Sequence, residues 1–182
     1  MSTRVPIATA SERPDLLGPA WERTRDTMPE YNNHGDVLNE YWPRLTEELP
    51  EFQFHLVTDE DEILARARSI PLRWDGTIAD LPSGIDGALQ RGFGGGKANV
   101  LCALVIMVPR DLQGRGLSAE AVEAMASIAR LHGLESLIAP VRPSWKSATP
   151  SSRSSGTRGG GGRTVSSSIR GCGFTSASGP RS

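Results

Sequence analysis

The sequence has little of what defines several large classes of protein. It contains only two cysteines, Cys102 and Cys172, which excludes a disulfide framework. No Cys-x-x-Cys pair accompanies its three scattered histidines, His34, His55 and His132. That argues against a zinc site. No apolar run approaches the ~18–20 residues that a membrane-spanning helix requires. The amino terminus has no apolar signal region, so we expect a cytoplasmic protein.

Charge is distributed unevenly along the 182 residues, although the formal net charge is only −1. Residues 147–182 contain 11 Ser, 8 Gly, 5 Arg and 4 Thr and no acidic residue. All 21 acidic residues therefore lie in residues 1–146 with 15 of the 20 basic ones, which gives that part a net charge of −6. An acidic body without interleaved aromatic residues argues against a dedicated nucleic-acid module. We predict one folded domain at 1–146 and a disordered tail at 147–182.

Apolar spacing in the first third of the folded part predicts one strand and two helices. Val5–Ala10 is typical of an edge strand. A helix capped by Ser11 is expected next, interrupted at 18–19 by Gly-Pro. A second helix is expected at Val37–Leu49, capped by Asp36 and broken or kinked by the proline at position 43.

A β-hairpin is expected in the middle of the chain. In Phe52–Thr58, Phe52, Phe54 and Leu56 alternate, which is typical of a half-buried strand. That alternation places His55 on the solvated face. After the charged turn Asp59–Glu62, the second strand is Ile63–Leu72, and a short helix follows at Ile85–Phe93.

The most apolar stretch, Asn99–Val108, is predicted to be a central strand buried on both faces. The amphipathic stretch Ser118–His132 predicts a helix, which Gly133 ends. Leu137–Val141 predicts one further strand. Strand, glycine loop, helix and strand form a βαβ unit, for which parallel pairing is the default. Cys102, on the central strand, is expected to be a small core residue.

The loop between the central strand and its helix reads Gln113-Gly-Arg-Gly-Leu-Ser118. A glycine-rich turn that opens a helix presents unpaired backbone N–H groups to one point, and the helix dipole adds positive potential there. Gly114 and Gly116 allow close approach and unusual dihedral angles. Arg115 can add a charge-assisted contact. The loop therefore predicts a site for phosphate oxygens.

Two common phosphate-binding motifs fit this loop poorly. The nucleoside-triphosphate loop ends in Gly-Lys-Ser/Thr, and no Lys-Ser/Thr pair occurs here. The dinucleotide fingerprint Gly-x-Gly-x-x-Gly would place its last glycine at Ala119, and it belongs at the first strand of a domain rather than after about a hundred residues. A nucleotide-binding domain remains an alternative, as does a plain strand–turn–helix connection.

The segment 113–118, with the apolar strand before it and the helix after it, resembles the Gln/Arg-x-x-Gly-x-Gly/Ala signature of the GCN5-related N-acetyltransferase (GNAT) superfamily. Ser118 replaces the usual final Gly or Ala. The resemblance implies an α/β fold with a mixed, splayed β-sheet flanked by helices, and acetyl-CoA as co-substrate. It implies that loop amides hold the pyrophosphate and that the strand end pairs with the pantetheine arm. The cofactor-binding residues are then Ile106, Met107, Val108, Gln113, Gly114, Arg115, Gly116, Leu117, Ser118 and Ala119.

The general acid and base are missing from the sequence pattern. In the superfamily the acid is often a Tyr on the helix after the last βαβ strand, but no Tyr follows Tyr41 here. The tail has the composition of GC-rich coding DNA translated out of frame. One shifted reading of Ser147–Thr157 places a Tyr just after Lys146, and the same frame over Arg163–Pro180 permits an alternating strand pattern. A single-base slip after Lys146 is therefore our hypothesis, and a native Ser/Gly linker is the alternative.

The resemblance implies an acetyl-CoA-dependent N-acyltransferase that acts on an unidentified amine. Loss of the native carboxyl-terminal part would impair the activity and expose Leu137–Val141 as an edge strand open to self-association. The alternative is a non-catalytic acyl-CoA-binding or regulatory module.

Overall fold

A computed structural model of the chain describes residues 5–27 and 36–140 and one short strand, Thr164–Val165. The elements follow in the order β1 (Ile7–Thr9), α1 (Leu17–Thr24), α2 (Asp36–Glu48), β2 (Gln53–Val57), β3 (Ile63–Leu72), α3 (Gly84–Phe93), β4 (Val100–Met107), α4 (Leu117–Leu131), β5 (Ser136–Pro140) and β6 (Thr164–Val165). Short 3₁₀ turns at Pro14–Leu16, Arg25–Thr27, Pro50–Phe52 and Arg110–Leu112 join several of them. None of the helices in the described residues is long and apolar enough to cross a membrane.

The strands form a mixed sheet in the order β1-β2-β3-β4-β5-β6. Neighbouring strands from β1 to β4 are antiparallel, whereas β4 and β5 are parallel. Helix α4 connects these two parallel strands, which confirms the predicted βαβ unit. Thr164 and Val165 pair with the end of β5, at Pro140 and Ala139. The rest of the tail lies outside the described residues.

Helices cover both faces of the sheet. On one face α4 packs against a core that includes Phe54, Leu56, Ala65, Ala67 and Leu101. On the other face α2 and α3 pack over Ile70, Leu72, Val100, Cys102 and Leu104. Beside them, Ala8, Val57 and Ile63 are covered by Ala20 of α1 and by Leu16 of the 3₁₀ turn before it. The apolar periodicity of these helices is thus matched by burial of their apolar stripes.

Helix α4 begins and ends at glycines whose backbone requires them. Gly116 is its N-cap at φ 82° and Gly133 follows it at φ 69°, both in the left-handed region. At the end, Leu134 N donates to Ala129 O (2.8 Å) and Gly133 N donates to Arg130 O (3.1 Å). This is a Schellman motif, and it confirms Gly133 as the terminator.

The structure contradicts a predicted cap and two predicted breaks in the first helices. The first helical turn starts at Pro14 after Arg13, so Ser11 is not its cap. Gly18 and the proline after it do not interrupt α1, because they lie in its first turn, where amide hydrogens have no intrahelical acceptor. The proline at position 43 does not break α2, because it lies on an exposed position where water can satisfy the freed carbonyl.

The prediction for His55 was also wrong. Every residue of β2 is buried, because α1 covers the face that the alternation pattern assigned to solvent. His55 itself is fully buried.

A β-bulge divides β4 into two halves. Arg68 pairs with Val105 and Ser69 with Ala103, so Leu104 has no partner in β3. Before the bulge Leu101 and Ala103 face α4, and after it Ile106 and Val108 do. The bulge thereby turns Val105 and Met107 towards the α1 side of the sheet.

Candidate functional site

The parallel strands β4 and β5 separate part-way along their length. Their pairing runs from Val100 opposite Ser136 to Cys102 opposite Ile138 and then ends. In the described part of the chain, the second half of β4 pairs only with β3. One edge of 103–107 therefore presents backbone N–H and C=O groups that can bond a ligand.

The loop 113–118 follows this open edge directly. Gly114 (φ 79°) and Gly116 (φ 82°) are both left-handed, and a Cβ at either would meet nothing within 4 Å. The glycines are thus required by backbone conformation, while the space above them is open. That space is available to a bound group.

Five successive backbone N–H groups of the loop, those of residues 114–118, have no hydrogen-bond acceptor among the described residues. The next two amides, of Ala119 and Glu120, both donate to Gly116 O, at 2.9 and 3.2 Å. The predicted cluster of main-chain donors is therefore present from Gly114 to Ser118 and ends before Ala119. Because these groups lie at the amino terminus of a 15-residue helix, the dipole favours an anion there.

Ion pairs and hydrogen bonds attach the loop region to the segment around α1. Arg23 pairs with Asp111 at 2.6 Å, and Arg110 Nη2 donates to Asp26 O at 2.9 Å. The hydrogen bond from Arg23 lowers the pKa of the Asp111 carboxyl below its usual value. These contacts are solvent-exposed, so they orient the loop more than they stabilise the fold.

The two long polar side chains of the loop contact the protein itself. Gln113 Nε2 donates to Val108 O at 3.3 Å, which joins the loop to the strand end. Arg115 Nη2 donates to Asp111 O at 3.3 Å. Gln113 thus positions the loop, and its direct contact with a cofactor stays a prediction.

A cleft of about 210 Å³ lies between the open strand edge and the loop. It is lined by Thr27, Val105, Ile106, Met107, Val108, Gln113 and Ser118. Five of the ten predicted cofactor-binding residues are among them. Leu117 instead is buried in the core beneath the loop.

The sequence interpretation missed a buried basic cluster on β2 and β3, formed by His55, Arg66 and Arg68. They are 0%, 5% and 3% exposed. The pKa of His55 is lowered to about 4, mainly by burial and to a smaller extent by the two nearby guanidinium charges. Burial lowers the pKa of Arg66 to about 10 and, with the charge of Arg66, that of Arg68 to about 9. The signal in the sequence was the pair of arginines on one face of a predicted strand, which the alternation pattern assigned to solvent.

Groups for proton transfer are absent from the cleft lining among the described residues. Cys102 is buried, as predicted, and burial raises the pKa of its thiol to about 12. His132 is the C-cap of α4 and packs on Phe52, with ring centroids 4.5 Å apart. Tyr41 stacks on Phe93. The described residues also hold no cluster of three potential metal ligands.

No family model matches the sequence, and no curated protein matches it. Solved structures match the fold. The loading GNATL domain of CurA from Lyngbya majuscula superposes with a TM-score of 0.55 at 17% identity, over 83% of this chain and 71% of that one. The chain has the GNAT fold. A GNAT-like decarboxylase, GphF, solved in complex with isobutyryl-CoA, superposes with a TM-score of 0.52 at 17% identity. The match covers 75% of this chain and 65% of that one, so the chain spans less than two thirds of GphF. The resemblance noted in the loop is thus confirmed at the level of the fold.

Proposed function

We propose that the chain binds a CoA thioester along β4 and the loop 113–118 and transfers its acyl group to an amine. The observation that carries the proposal is the row of five unpartnered amides from Gly114 to Ser118, beside an unpaired strand edge and an open cleft. Main-chain donors at a helix amino terminus suit a diphosphate. A half-unpaired strand suits the amide groups of a pantetheine arm.

Nine of the ten predicted residues have a role in this proposal, and Ala119 has none because its amide already donates to Gly116 O. The backbone of Ile106, Met107 and Val108 binds the pantetheine arm, and the amides of residues 114–118 bind the diphosphate. Gln113 holds the loop against the end of β4. The wall of the cleft is apolar at Val105 and Met107, which suits an acyl chain. The solved complex of GphF with isobutyryl-CoA supports an acyl-CoA donor in a general sense, larger acyl groups included.

Calorimetric titration of the full chain tests the donor. We expect CoA and acetyl-CoA to bind with equal or similar dissociation constants. Pantetheine, which lacks the diphosphate, should bind at least about tenfold more weakly, since charge-assisted bonds to phosphate contribute about 1.5–3 kcal/mol. ATP and NAD serve as the rival ligands. Tighter binding of either nucleotide than of CoA would contradict the proposal and favour a nucleotide-binding domain.

A negative charge introduced at the start of α4 tests whether the diphosphate binds there. Ser118→Glu places a carboxylate in the first turn of α4, where it is expected to stabilise the helix by about 0.3–1 kcal/mol. It should nevertheless weaken CoA binding about tenfold and leave pantetheine binding unchanged. Ser127→Glu, nine residues further along the same helix, is the matched control with the same change in charge. Equal losses in both variants would contradict the placement.

The second candidate is a non-catalytic acyl-CoA-binding module. It is favoured by the absence of a carboxylate, Tyr, His or Cys from the cleft lining in the described residues. A thiol-release assay with acetyl-CoA and a panel of amines separates the two. Amine-dependent release above the spontaneous rate supports a transferase, and CoA binding without release supports the module.

We also propose that residues 1–146 form the acyl-CoA-binding domain, with 147–182 as a tail. Thr164 and Val165 already pair with Pro140 and Ala139, so only the first part of β5, residues 136–138, has an open outer edge in the described residues. Self-association through that part stays a prediction. Light scattering of the full chain over a concentration series measures it, and a constant monomer mass would contradict it.

A further inference from the structure

The basic cluster of the sheet lacks a counter-charge. Neither the Arg66 nor the Arg68 guanidinium makes a hydrogen bond or ion pair to a described residue. Among their nitrogens Arg66 Nε and Nη1 and Arg68 Nη1 are fully buried, as are both ring nitrogens of His55. Buried cations without partners are strongly unfavourable, and native proteins normally pair them.

Three carboxylates near α1 are already paired with other arginines. Asp15 and Asp61 both accept from Arg13, with closest distances of 2.8 Å. Asp111 accepts from Arg23 at 2.6 Å. No ion pair among the described residues includes Arg66 or Arg68, so these residues supply no anion to the cluster.

The cluster lies beside the cleft. Arg66 is the register partner of Met107 and Arg68 that of Val105, so their side chains emerge on the same face of the sheet. Cβ atoms of such partners are about 4.5–5.5 Å apart, which an arginine side chain spans easily. Met107 and Val105 line the cleft. On its outer side the Arg66 guanidinium is stacked 5.1 Å from the Trp21 ring, which fixes its position.

We propose that Arg66 and Arg68 bind a carboxylate of a substrate that occupies the cleft. The inference rests on the proposed function, in which the cleft receives the acyl end of a CoA thioester. Guanidinium groups bind carboxylates with two parallel hydrogen bonds, and an apolar cleft wall beside them suits the carbon chain that bears the carboxylate. The carboxylate belongs either to a diacid acyl group or to an amino-acid-like acceptor.

The acyl source is tested with succinyl-CoA and butyryl-CoA, which differ by a carboxylate in place of a methyl group. If the acyl group carries the carboxylate, the wild-type chain binds succinyl-CoA at least about tenfold more tightly. Arg68→Met and Arg66→Met should remove that preference, because they weaken succinyl-CoA binding more than butyryl-CoA binding. Arg73→Met removes an exposed arginine just beyond β3 and is the control, which should keep the preference.

The acceptor source is tested with β-alanine and propylamine, which differ in the same way. On the CoA-saturated chain, β-alanine should then bind at least about tenfold more tightly than propylamine. Arg68→Met should again remove the preference. A preference in one arm identifies the source of the carboxylate, and no preference in either arm overturns the proposal.

Stability without ligand provides a readout that does not depend on CoA. With no internal anion, Arg68→Met should raise Tm by at least about 2 °C, because methionine fills the site without a buried charge. A fall in Tm would show that the chain itself supplies the counter-charge, which also overturns the proposal. If the wild-type chain binds no CoA while Arg68→Met raises Tm, the proposed function fails and the unpaired cluster is upheld.

Discussion

Replacement of His55 should change how the stability of the protein depends on pH. Its imidazole is fully buried beside Arg66 and Arg68, and its pKa is lowered from 6.5 to about 4. Between these two values the unfolded chain binds a proton that the folded chain does not. Stability from this group is therefore fully present above pH 6.5 and is lost as the pH falls towards 4.

The magnitude follows from the two pKa values. The fall of the pKa from 6.5 to about 4 corresponds to about 3 kcal/mol at full protonation, of which about 2 kcal/mol is lost between pH 7 and pH 5. In His55→Gln this loss should be absent, so the free energy of unfolding should fall by about 2 kcal/mol less over that interval than in the wild type.

Urea unfolding at pH 7, 6 and 5 measures the difference, and carboxylates that titrate in both proteins cancel. His132→Gln, which removes a histidine outside the cluster, should retain the wild-type pH dependence. Parallel pH curves for His55→Gln and the wild type would refute the assignment of His55 as a buried neutral group.

Two further predictions concern packing and reactivity. Gly92→Ala in α3 should destabilise the fold by about 1–3 kcal/mol, because a Cβ there would clash with the side chain of Ile70. At Gly87 the one contact of an added Cβ under 3 Å is the Ser83 hydroxyl, which can rotate away, so Gly87→Ala should be neutral or stabilising by up to about 1 kcal/mol. Urea unfolding of the pair checks this, and equal effects would contradict it. In a Cys172→Ser background, Cys102 should react with a thiol reagent only after unfolding, because burial raises its pKa to about 12. Rapid reaction in native buffer would show that β4 opens.

Much of the fold followed from local sequence signals. The run of apolar residues in β4, the amphipathic stripe of α4 and the terminating Gly133 each act within one element, so periodicity and backbone preference were enough to place them. Gly114 and Gly116 could be recognised in the same way, because both adopt a positive φ, which favours glycine. The order of strand, loop, helix and strand then predicted parallel pairing of the two strands, which is the default for such a unit.

The basic cluster could not be predicted in the same way. Whether His55 faces water depends on where α1 docks, and docking is a long-range property that alternation within β2 does not report. The bulge at Leu104 is a similar case, because it depends on pairing with β3. For the site, the sequence predicted the loop and the strand end, while the position of the arginines beside the cleft required the assembled sheet.

The extra residue at position 104 has a consequence for how this protein tolerates change. Deletion of that single leucine would restore simple alternation in β4 and exchange the two faces of everything after it. Val105 and Met107 would then point into the packed interior under α4, and Ile106 would point towards the arginines. Insertion or deletion of one residue in this strand would thus exchange the side chains that line the cleft. We therefore expect its lining to vary by substitution rather than by changes in length.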